Sequence, residues 1–142
     1  MAPTTLVLDA SVGVKWFSNE GEDALKQALK IRDAHISRDL TITVPDLFYY
    51  EVINAIVYKK SISVASIQMA VTSLFDLGLE SIPISTALMG SAVSLAREYS
   101  ITIYDSFYLA IAQFQNCPLI TANPRHQRSI KDCQVIPIME WK

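Results

Sequence analysis

Cysteine is scarce in this chain, and the two present, Cys117 and Cys133, show no metal-ligand spacing. That argues against a disulfide framework and for buried, reduced thiols of the kind expected in the cytoplasm. Strong charge is missing too. The formal net charge is −2, so no global basic field advertises nucleic acid, although a local basic patch would suffice. No apolar run approaches the roughly 20 residues of a membrane span, so no membrane partner is expected. Met1-Ala-Pro-Thr-Thr5 has no basic region ahead of its apolar run, and no secretory signal is expected. Internal repeats, low-complexity segments and linkers are all absent. What remains is 142 residues, 51% of them hydrophobic, enough for one domain over residues 1–142 with an ample core.

Along the chain, strand-like and helix-like runs alternate. Thr5-Leu-Val-Leu-Asp9 is a short apolar strand ending at a carboxylate, and Ala10 to Phe17 looks helical. An amphipathic helix is expected from about Glu22 to Arg32, with Leu25, Ala28, Leu29 and Ile31 on its apolar side. Leu40 to Val44 alternates and is β-branched, a second strand stopped by Pro45. Asp46 is a candidate N-cap for a helix from Leu47 to Lys59, and Ser63 for one from Val64 to Leu77, closed by Gly78. Leu79 to Ile84 is a third strand, placed at a sheet edge by Pro83. Ser85 then caps a helix to about Tyr99. Pro118 to Thr121 and Val135 to Ile138 supply the last strands, and Asn123-Pro124 has the form of an N-cap with proline at the first helical position. Strands alternating with helices imply an α/β domain: a three-layer α/β/α sandwich around a central, mainly parallel sheet.

One stretch organises the rest. Ile101 to Gln113 is apolar almost throughout, yet it carries Asp105. A helix apolar all round is a core helix, and a carboxylate there is costly unless it caps, pairs or binds an ion. Capping is the plain reading, with Asp105 at the mouth of a helix beginning near Tyr108. In open parallel sheets, however, the ligand crevice lies beyond the carboxyl ends of the strands. Asp9 ends the first strand, Asn123 follows the fourth, and Asp105 opens the helix leading into it. All three are expected along one rim. Asp9 has its own plain reading as the N-cap of the helix at Ala10.

Glu51 discriminates between these readings. It lies too far inside its helix to cap, and its helical neighbours Leu47, Tyr50, Asn54, Ala55 and Tyr58 make an unusually apolar or aromatic face. A surface glutamate among tyrosines is one possibility; a carboxylate aimed at a shared metal site is the sharper one. Carboxylate oxygens with water suit Mg²⁺ or Mn²⁺. His35 and His126 lie far apart without partnering cysteines, so zinc is not indicated.

The segments Leu6-Val-Leu-Asp-Ala-Ser-Val12, Pro45-Asp-Leu-Phe-Tyr-Tyr-Glu-Val-Ile-Asn-Ala55, Tyr104-Asp-Ser-Phe-Tyr-Leu-Ala-Ile-Ala112 and Pro118-Leu-Ile-Thr-Ala122 follow one another as in PIN domains. Over nearly its full length the chain resembles a small PIN domain of the VapC toxin kind. The resemblance implies an α/β/α fold and a Mg²⁺- or Mn²⁺-dependent endoribonuclease. It also implies a homodimer neutralised by a small antitoxin protein. Carried over by motif, the catalytic and metal-holding acids are Asp9, Glu51 and Asp105, with Ser11 and Thr121 as supporting hydroxyls. One departure matters. Where such toxins commonly carry a fourth acid after Thr-Ala, this chain has Asn123, which brings an oxygen to a metal but no charge.

Lys15, Arg97, Arg125, His126, Arg128 and Lys131 are the candidates for holding an RNA backbone, each also readable as an ordinary solvated charge. Val64, Ile67, Val71, Leu74 and Phe75 form an apolar stripe that is either core or a dimer face. Two other classes stand beside the nuclease. One is a PIN-fold module that binds RNA or a partner without cutting. The other is a phosphoryl-accepting aspartate at Asp9, weakened by Ser11 standing where a second acid is needed.

Overall fold

A computed structural model describes residues 4–18, 24–123 and 130–141. Five strands form one sheet: β1 (Thr4–Leu8), β2 (Leu40–Pro45), β3 (Glu80–Ile82), β4 (Leu119–Thr121) and β5 (Val135–Pro137). Their order is β3-β2-β1-β4-β5 and every pairing is parallel. Val7 stands opposite both Thr43 and Leu119, so β1 is central. Leu6, Val7 and Leu8 are all buried although successive side chains point to opposite faces, which requires cover on both sides of the sheet. That cover comes from six helices among the described residues: α1 (Ala10–Gly13), α2 (Leu25–Ile36), α3 (Leu47–Val57), α4 (Val64–Asp76), α5 (Thr86–Tyr99) and α6 (Ile103–Gln115). The expected α/β sandwich with a parallel central sheet is the observed architecture.

Most elements fall where local signals put them. Ser63 and Ser85 cap α4 and α5, accepting from the backbone N–H of Ser66 and Leu88 at 3.1 Å each. β3 is an edge strand, as Pro83 led one to expect. The helix expected over Ala10 to Phe17 is broken into α1 and a 3-10 turn at Val14–Trp16. The Trp16 indole anchors that turn, donating to the Ala28 carbonyl at 2.8 Å. α2 runs to Ile36, a turn beyond Arg32, and its expected start at Glu22 lies outside the described residues.

Two caps need correction. Asp46 makes no cap hydrogen bond; its Oδ1 instead accepts from Ser81 Oγ at 3.0 Å, tying the ends of β2 and β3. Asp105 is not the cap of α6. That helix begins at Ile103, and its cap is Thr102, whose hydroxyl accepts from the Asp105 N–H at 3.1 Å. Asp105 thereby stands in the first turn with its carboxylate released from capping. From Ser106 to Ala112 every residue of α6 is buried, the apolar core helix that composition demands.

α1 lies hard against α3. A Cβ on Gly13 would come within 2.5 Å of the Phe48 ring and 3.0 Å of Val52. Glycine at that position is what lets the helix following Asp9 approach the helix carrying Glu51. No helix among the described residues is long and apolar enough to cross a membrane.

Candidate functional site

Asp9 follows the last residue of the central strand, and its N–H continues the sheet ladder by donating to Ile120 O at 3.0 Å. The residue is only 6% exposed. It occupies the N-cap position of α1 but makes no side-chain cap bond. Its Oδ2 instead accepts two hydroxyls, from Ser11 Oγ at 2.5 Å and from Thr121 Oγ1 at 3.0 Å. Each hydroxyl also accepts a backbone N–H: Ser11 Oγ from Ala122 and Thr121 Oγ1 from Asn123, at 3.0 and 3.1 Å. With a lone pair committed to the backbone, each hydroxyl has its proton to give to the carboxylate. Bonds to an ionised acceptor are the strong ones. Burial of Asp9 is thus compensated in part by donors from both ends of the chain.

Glu51 sits in the interior of α3, half-buried, and accepts from the Tyr108 hydroxyl at 2.8 Å. Tyr108 is buried in α6. Its phenol is pushed well above the ordinary tyrosine range, first by burial and then by the negative charges of Glu51 and Asp9. Both carboxylates therefore act on one hydroxyl. Asp105 precedes Tyr108 by three residues on the same helix, which puts the two on one face. Asp105 is half-buried. Asn123 is half-buried as well, with its N–H on Thr121.

Among the described residues, no three His, Cys, Asp or Glu side chains close into a group able to hold an ion by themselves. The donor set is nonetheless of one kind, carboxylate and hydroxyl oxygens at the carboxyl end of a parallel sheet. That chemistry fits a hard ion such as Mg²⁺, which keeps several waters and takes one or two carboxylates, and does not fit a closed protein cage. The free thiols are half-buried at Cys117 and Cys133, and neither adjoins these acids in the hydrogen bonding.

The basic candidates scatter. Lys15 is half-buried on the turn after α1, and Arg97 is exposed in the last turn of α5. Lys131 is held by its backbone, its N–H donating to Tyr99 and its carbonyl accepting from Gln113, both at 3.0 Å. Gln113 lies two turns beyond Asp105 along α6, and Lys131 precedes a strand whose opposite end adjoins Thr121. The structure does not bring Lys131 to the acids. Arg125, His126 and Arg128, together with the expected turn at Pro124, lie outside the described residues.

Two participants escaped the sequence reading. Tyr108 carries a signal in retrospect, since a phenol in a wholly buried helix needs a partner for its hydroxyl. Thr102-Ile-Tyr-Asp105 is a capping pattern one turn upstream of the expected cap.

The PIN domain family model matches residues 6–131. The chain belongs to the PIN domain family. Solved structures agree in fold. A toxin–antitoxin complex from Klebsiella pneumoniae aligns with a TM-score of 0.65 at 23% identity, covering 90% of this chain and 94% of that one. VapBC2 from Rickettsia felis, bound to a DNA fragment from its promoter, gives 0.69 at 17% identity, covering 98% and 100%. VapC20 of Mycobacterium tuberculosis, a Sarcin-Ricin loop cleaving toxin, gives 0.65 at 10% identity, covering 85% and 92%. No curated protein matches the chain by sequence. At these identities, likeness to solved structures speaks for the fold alone. The PIN assignment rests on the family model.

Proposed function

We propose that this PIN domain is a Mg²⁺- or Mn²⁺-dependent endoribonuclease and the toxin of a toxin–antitoxin pair. On this reading residues 1–142 form one nuclease domain acting in the cytoplasm. The observation that carries it is Asp9: a buried carboxylate at the end of the central strand, braced by Ser11 and Thr121 where an ordinary cap would leave it solvated.

The roles follow from the surroundings of each residue. A divalent ion, when bound, supplies the positive charge that a rim of acids lacks for drawing in a phosphodiester. Asp9 and Asp105 would hold it, with Asn123 as a neutral outer oxygen. Ser11 and Thr121 keep the Asp9 carboxylate in one orientation. Glu51 is suited to holding the ion through a water and to aligning that water for attack. Lys15 and Arg97 remain the described candidates for the RNA backbone.

Two partners belong to the same reading. A small antitoxin presenting an arginine would satisfy the acidic rim bidentately. A second copy would cover the apolar surface of α3 and α4. There the expected stripe divides: Leu74 is core, while Val64 and Phe75 are exposed along with Tyr50 and Tyr58. The alternative is a PIN module that binds without cutting. Asn123, standing where the resemblance leads one to expect a fourth acid, favours it.

Cleavage of structured RNA with and without Mn²⁺, set against Asp9→Asn, tests the proposal. Mn²⁺-dependent cleavage lost in the variant is the expected result. Tight RNA binding with no cleavage in either protein would leave the binding module.

A further inference from the structure

Tyr108 is a buried polar group that the roles above do not by themselves require. It sits in the middle of an otherwise apolar helix, where phenylalanine would pack as well. Its hydroxyl joins two elements. The Tyr108 proton goes to Glu51 Oε1 on α3, at 2.8 Å. The charges of Glu51 and Asp9 both act on that phenol, so the hydroxyl stands where the α3 carboxylate and the Asp9 corner come together.

We infer that Tyr108 is a positioning residue: its hydroxyl, bonded to Oε1, fixes Glu51 for divalent-ion binding at the rim shared with Asp9. The inference rests on the nuclease reading and deepens it. Glu51 stands on a long side chain with rotamers to spare, in a helix with other exposures available to it. The phenol selects one of them. Outer partners of this kind, when removed, typically cost about 10- to 100-fold in ion affinity or activity. A phenol that merely fills core would cost stability and leave the ion curve where it was.

The test uses the whole chain and Mn²⁺ alone as the probe, with free Mn²⁺ followed by electron paramagnetic resonance and RNA cleavage followed in parallel. Tyr108→Phe keeps the ring and removes the hydroxyl. It should weaken Mn²⁺ binding about ten-fold and raise the Mn²⁺ needed for half-maximal cleavage by the same factor. In a Glu51→Gln background, the added Tyr108→Phe change should do little more, because the group it acts through has already been altered. Equal losses in both backgrounds would make the effect structural and overturn the inference. If Tyr108→Phe does not fold, the parent still answers. The Tyr108 ring carbon bearing the hydroxyl, labelled with ¹³C, should shift as Mg²⁺ is added, and should stay still in Glu51→Gln. No shift in the saturated parent overturns the inference. A parent that takes up no Mn²⁺ overturns both this and the nuclease reading. A normal parent with a superimposable Tyr108→Phe curve overturns this one alone.

Discussion

Thr121 donates to Asp9 Oδ2 at 3.0 Å across 112 residues of chain, while its own oxygen accepts the Asn123 N–H. The hydroxyl joins two groups that have little water available. Thr121→Val preserves the shape and takes one hydrogen bond from each. Unfolding in urea should show a loss of about 1–3 kcal/mol, the usual contribution of a hydrogen bond to a charged group. Thr121→Ser keeps the hydroxyl and should recover most of it. Equal stability of the Val variant and the parent would mean that the brace contributes nothing.

Capping and chemistry are divided between Thr102 and Asp105. Thr102→Ala should cost about 1 kcal/mol through the lost cap, with cleavage retained. Asp105→Asn should cost less than about 1 kcal/mol, the share of the helix dipole, yet lower cleavage by about 100-fold or more. Thermal melts and RNA cleavage on the two variants check the pair. Cleavage that survives Asp105→Asn removes this residue from the site.

Asn123→Asp adds a carboxylate beside Thr121. It should lower the Mn²⁺ concentration for half-maximal cleavage several-fold while leaving stability nearly unchanged. Superimposable metal titrations for parent and variant, with equal rates at saturation, would leave Asn123 without a role at the ion.

The thiols set an alkaline limit. Burial raises the Cys117 thiol, and burial with the nearby Cys117 charge raises Cys133 to about 11. At neutral pH both remain thiols, so iodoacetamide should label the native protein far more slowly than the urea-unfolded chain. The stability consequence has a definite sign. Between the ordinary thiol value of 9.0 and about 11, the unfolded chain loses the Cys133 proton while the fold retains it. The stability present below pH 9 is therefore lost as pH rises through that window. Urea midpoints from pH 8 to 11 should fall, and Cys133→Ser should flatten the fall.

Alternation of apolar runs, proline and caps was enough to read the parallel sheet, the edge position of β3 and the hydroxyl caps of α4 and α5. Those signals are local, and the structures they specify are local. Asp105 and Glu51 stood out because their apolar company left an acid unexplained, and Asp9 because it ends the first strand. What local pattern did not carry was the destination of each side chain. Asp46 and Asp105 have the residue type of caps, but Ser81 claims the first and Thr102 takes the place of the second. The bond between Tyr108 and Glu51 joins helices 57 positions apart in sequence, and only the order of the strands determines that they meet. Lys131 looked close to Asn123 in sequence, yet the chain carries it to the other end of α6 before β5 begins.

β1 stands in the middle of the sheet and draws one neighbour, β2, from early in the chain and the other, β4, from late in it. A ribosome therefore releases the Asp9 strand well before the Thr121 strand. Until Leu119–Thr121 docks, one flank of β1 is bare and the Asp9 carboxylate lacks its second hydroxyl. A chain stopped short of β4 is expected to be silent, with the acids made but not yet gathered. On the proposed nuclease reading the timing is protective, because the acids gather only once β4 has been made.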